Sequence, residues 1–149
     1  MSLLREEREI ALTDAVVALK DAAFQLEDEA GVVGDEAVAA LFRELAAEHR
    51  ARAAQLDAEL RRLGYKTREP DPDAEVGKEL LARVKAALSA DETRTLLQER
   101  EAGEEAVAAA LDAARQAADL PTESRALLDA MADRVAAARS RLARPPINN

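Results

Sequence analysis

Four long stretches of this chain carry apolar residues at intervals of three, four and seven, with few helix breakers inside them. That period is the strongest constraint on the fold. It gathers the apolar side chains on one stripe of an α-helix, whereas on a strand they would scatter to both faces. The first stretch has Leu12, Val16, Leu19, Ala23 and Leu26. The second has Phe42, Leu45, His49, Ala53, Leu56, Leu60 and Leu63. The third has Leu97, Glu104, Val107, Leu111, Ala114 and Ala118. The last has Leu128, Met131, Val135, Ala138 and Leu142. With one stripe each, the helices must bury those faces against one another, so the spacing predicts an all-α four-helix bundle. Composition agrees: alanine, the best helix former, is close to a quarter of the chain, and β-branched residues are scarce.

The breaks between stretches set the connections. "GVVGDE" (31–36) offers a glycine stop and then Asp35 as an N-cap. "GYKTREPDPDAE" (64–75) contains Pro70 and Pro72 and excludes a helix interior. In "LSADE" (88–92), Ser89 and Glu92 stand at capping-box spacing, and "DLPTE" (119–123) is another stop and restart. Helices are therefore predicted near 6–30, 36–63, 76–88, 90–118 and 123–143. The short one, 76–88, is expected to lie across the outside of the bundle through Leu80, Leu81, Val84 and Leu88. A helix over 36–63 is roughly 40 Å long, which the middle connection can span. The expected topology is two antiparallel hairpins joined by a long crossover carrying a short extra helix, the ferritin-like arrangement. The expected domain is 1–144, followed by a disordered tail at 145–149.

Charge and residue usage exclude several function classes. The formal charge is −9, from 21 basic and 30 acidic residues, which opposes binding to nucleic acid and to anionic membranes. There is no cysteine, so disulfides, thiolate metal sites and cysteine nucleophiles are ruled out. "MSLLREEREI" has acids where a signal peptide has a basic end and an apolar run, and no stretch has the length of a membrane span. A cytoplasmic location is expected. No phosphate loop, dinucleotide fingerprint or Ser–His–Asp arrangement is found, so the sequence argues more against an enzyme than for one.

Two segments, "LFRELAAEHRARAAQLDAELRRLG" and "KAALSADETRTLLQEREAGEEAVAAAL", resemble the bacterial family known as domain of unknown function 2383. The similarity runs from about Leu12 to Leu142. Its most specific piece is "EREAGEEA" (99–106), an acidic block around a glycine, and "ALKDAAFQLEDEA" in the first helix also fits. The segment "GKELLARVKAAL" departs, lacking an aromatic that relatives carry there. The resemblance implies a ferritin-like four-helix bundle and no established activity, so it brings no catalytic residues.

His49 and Glu104 are the two places where a sevenfold apolar series is interrupted by an ionisable group. They lie at matching depth, 13 residues after Glu36 and 13 after Asp91, so parallel second and third long helices would put them in one layer, and antiparallel ones would still put both near the middle. One reading is a mid-bundle metal site for iron, manganese or zinc, with Glu101, Glu48 and Glu105 flanking. A di-iron centre wants two Glu-x-x-His motifs; this chain has one histidine, and three residues before it stands Ala46. The preferred reading is a hydrogen-bonded His–Glu pair, assisted by Arg52 or Arg100, that satisfies two buried polar groups and sets register. On that reading no metal and no other cofactor is expected.

The remaining features are plainer. The acids Glu27–Glu29 and Glu6, Glu7 and Glu9 are expected to face water, Met131 to fill the core and Tyr65 to close one end of the bundle. Gly103 costs the helix about 1 kcal/mol against alanine. It either lets a neighbour approach Glu104 or is simply tolerated. Ala40, Ala47, Ala51, Ala54 and Ala58 form a line of small residues away from His49. They are read first as helix filler and second as the seam of a homodimer. The function expected is that of a non-enzymatic interaction or stress-associated module, with a metal-dependent oxidoreductase or metal-storage protein as the alternative.

Overall fold

The computed structural model describes residues 5–67 and 89–146. The short helix expected at 76–88 and the last residues of the expected tail, 147–149, lie outside them. The described residues form four helices: α1 (Glu7–Ala30), α2 (Glu36–Arg62), α3 (Ala90–Arg115) and α4 (Thr122–Ala143). Local chemistry places two of the starts. Asp35 accepts hydrogen bonds from the amides of Ala37 at 2.9 Å and Val38 at 3.2 Å. Ser89 and Glu92 form the full capping box, each side chain accepting from the other's backbone N–H.

α1 packs on α2 and α3, and α4 packs on α3 and, more lightly, on α2. The order around the bundle is therefore α1, α2, α4, α3, with α2 and α3 facing each other across a diagonal. Directions follow from the bonds between elements. Arg100 of α3 reaches Gln25 and Glu29 near the end of α1, whereas Arg8 at the start of α1 reaches the carbonyl of Asp119 beyond α3. α1 and α3 thus run antiparallel, and since α1 and α2 form a hairpin, α2 and α3 run parallel. Residues 67 and 89 consequently stand at opposite ends of the bundle, as a long crossover requires.

The predicted stripes are the buried faces, with two exceptions of one cause. α3 ends at Arg115, three residues early, and the chain turns through Asp119, whose φ of 62° is the left-handed conformation that Asp tolerates better than most residues. Ala118 is therefore exposed, and Ala117 and Leu120 fill the place expected of it. Leu63, one residue past α2, is only half-buried.

The apolar core divides into two clusters. One holds Leu12 to Ala22, Ala53 to Leu60, Val107 to Ala114 and Leu128 to Val135. The other holds Ala23 to Ala30, Val38 to Ala46, Leu97, Ala138 and Leu142. On α2 the break spans His49 and Arg52, and on α3 it spans Glu104. A polar layer thus crosses the middle of the bundle. None of the described helices is long and apolar enough to cross a membrane.

Candidate functional site

His49 and Glu104 are 0% and 1% exposed, among the most deeply buried side chains of the molecule. Parallel α2 and α3 bring them to the same depth, and the small residues Ala22 and Ala23 mark that level on α1. The Nε2 atom of His49 lies 2.7 Å from Oε1 and 2.8 Å from Oε2 of Glu104. On the other side of the ring, Nη1 of Arg52 lies 2.9 Å from Nδ1. Arg52 is one turn further along α2, on the same face as His49.

This geometry assigns the protons. A guanidinium donates and cannot accept, so Nδ1 of His49 must carry its lone pair toward Arg52. The ring proton then sits on Nε2 and is shared by the two oxygens of the Glu104 carboxylate. The imidazole is neutral, with a cation at one side and an anion at the other, and the three side chains together carry no net charge. Burial is the main influence holding the Arg52 pKa below its ordinary value, opposed by the nearby charges of Glu48 and Glu104 and reinforced by that of Arg134.

The other candidate ligands are not brought in. Glu48 faces Arg52 at 3.7 Å and Arg141 at 3.3 Å. Glu101 is half-buried in a groove beside Leu97 and Leu142, and Glu105 pairs with Arg139. Among the described residues no group of three or more His, Asp or Glu side chains is placed to hold a metal ion. A cation at His49 would have to displace a carboxylate from one nitrogen or a guanidinium from the other. The donor set that the described residues offer at His49 does not fit a divalent metal.

Arg100, the other arginine considered for the pair, turns away from it. It reaches Gln25 and forms an ion pair with Glu29 at 3.0 Å. Glu29 is therefore enlisted against α3; of the three acids expected to face water, Glu27 is exposed and pairs with Arg50, and Asp28 is half-buried. A Cβ added at Gly103 would meet only the end of Arg100, at 3.5 Å, an ordinary contact. The glycine admits no close neighbour to Glu104; it is tolerated.

Tyr65 closes the end of the bundle where the chain starts, as expected. Its hydroxyl accepts from Nε of Arg8 at 2.7 Å and donates to Glu6, and the Arg8 guanidinium lies 5.6 Å from the ring centre. Burial, and then the bond to Glu6, push the Tyr65 pKa up, while the Tyr65 bond holds Glu6 below the ordinary carboxylate value.

A family model described as "Domain of unknown function (DUF2383)" matches residues 9–117. The match covers more than half of the chain and includes His49, Arg52 and Glu104 but not α4. No curated protein and no solved structure matches the chain.

Proposed function

Taking as premise that the chain belongs to the family described as "Domain of unknown function (DUF2383)", we propose that it is a ferritin-like helical module that works by binding other molecules and not by catalysis. The observation that carries this reading is the closed chain Arg52–His49–Glu104. Both ring nitrogens are engaged inside the bundle, which leaves His49 no free lone pair to act as a base. Such a layer sets register: sliding α3 along α2 by one heptad would place Glu104 among leucines without a partner, at a cost of several kcal/mol. Its acidic surface, net −9 over the chain, is the part available to partners and favours cationic ones.

Metal analysis of the purified protein tests this against the metal-dependent alternative. The expected result is substoichiometric iron, manganese and zinc, with a melting temperature that does not fall on chelation. A near-stoichiometric metal whose removal lowers the melting temperature would replace this reading with the alternative.

A further inference from the structure

α2 and α4 are the most lightly packed neighbours in the bundle. The small side chains of Ala51 and Ala130 line the seam between them and leave a groove of about 330 Å³. Its walls divide by chemistry. Ala51, Leu127 and Met131 make an apolar side, and Arg52, Arg134 and Gln55 make a polar side.

The polar side sets two guanidiniums beside one carboxylate, and only that of Arg52 is balanced from behind, through His49 to Glu104. Glu48 is the one acid among the lining residues, and it is shared by Arg52 and Arg141. Arg134 is exposed and forms no ion pair among the described residues. On its own helix the positions three and four away are Ala130, Met131, Ala137 and Ala138, so no carboxylate can reach it from there. The two guanidiniums are close enough for the charge of one to act on the other. Arg52 cannot swing away, because Nη1 is held by the ring of His49.

We infer that this groove binds a small amphiphilic carboxylate of about the size of octanoate. The acid head lies between Arg52 and Arg134, and the tail runs along Ala51, Leu127 and Met131. A carboxylate suits the planar donor fork of arginine and relieves the repulsion between the two cations. The tail covers wall that no other described residue covers, and the volume lies at the small end of ligand sites. Because Arg52 also anchors His49, ligand on its outer edge is tied to the buried layer.

The test is calorimetric titration and thermal melting of the full chain with octanoate, acetate and octylammonium. Octanoate should bind saturably at one site and raise the melting temperature. Acetate should bind at least about tenfold more weakly for want of a tail, and octylammonium should not bind. Arg134→Gln, a change at an exposed position, should weaken octanoate about tenfold by removing one charge-assisted contact. Ala51→Leu should fill the groove and abolish binding with both arginines in place. The inference is overturned if octanoate does not saturate, if octylammonium binds as well as octanoate, or if either variant, shown folded by circular dichroism, binds octanoate like the parent.

Discussion

Arg52 and Glu104 are joined through a single imidazole ring: Arg52 donates to one nitrogen of His49, and the other nitrogen donates to both oxygens of Glu104. A cation and an anion are thus held on parallel helices across the diagonal of the bundle, with a neutral ring as spacer. Each member depends on the other two.

Removing one member should therefore cost more than removing all. His49→Leu leaves Glu104 and Arg52 without their shared partner and should destabilise by about 3–5 kcal/mol. Replacing His49 and Glu104 together still takes from Arg52 the acceptor of its Nη1 and leaves it Glu48 alone. The triple variant His49→Leu, Arg52→Met, Glu104→Leu should recover parental stability to within about 1 kcal/mol or exceed it. Urea unfolding with matching slopes measures the difference. A triple variant as unstable as the single one would show that the layer does more than satisfy itself.

The end cluster makes stability depend on pH at both extremes. Tyr65 holds its proton more tightly when folded, so its contribution is complete below its ordinary pKa of 10.0 and is lost as pH rises through the higher folded value. Glu6 has the opposite sign: its contribution is complete above its ordinary 4.5 and is lost as pH falls through the lower folded value. Tyr65→Phe should flatten both limbs in a series of melting curves across pH. An unchanged alkaline limb would assign the loss to other groups.

Gly103→Ala should stabilise the protein by about 1 kcal/mol, since the methyl meets only ordinary contact and the helix gains alanine's propensity. Thermal melting should rise by about 3 °C. A fall would mean that the Arg100 head cannot yield, and the bonds from Arg100 to Gln25 and Glu29 would be the next to examine.

Ala40, Ala47, Ala54 and Ala58 are exposed along α2, and Ala51 opens into the groove toward α4. As filler they need no partner. Light scattering at high concentration should give a monomer, and Ala47→Glu should leave the mass unchanged. A dimer that this substitution splits would establish the alanine seam.

The His49–Glu104 meeting was legible because each residue is the lone ionisable member of its stripe and they stand 13 and 14 residues from the helix starts at Glu36 and Ala90. Asp35 and Ser89 were legible because capping is local and uses few residue types. The choice between Arg52 and Arg100 was not. Both lie within a turn of the pair, and only the order of helices around the bundle, a long-range property, turns Arg100 toward α1. Nor could the alanine-rich run after Arg115 announce its end, for each residue there favours continuing the helix. Arg134 carries no sequence signal, since one arginine beside a stripe is what any surface helix shows.

The separation of 55 positions between His49 and Glu104 also sets an order of events in the cell. A ribosome completes α1 and α2 well before it makes the carboxylate that closes the layer, and α4 comes last. Until then the first hairpin displays two apolar stripes and an imidazole held on one side only. The newborn chain is thus most vulnerable halfway through translation. Chains arrested at successive lengths should gain protease resistance in one late step, after α4 has left the exit tunnel.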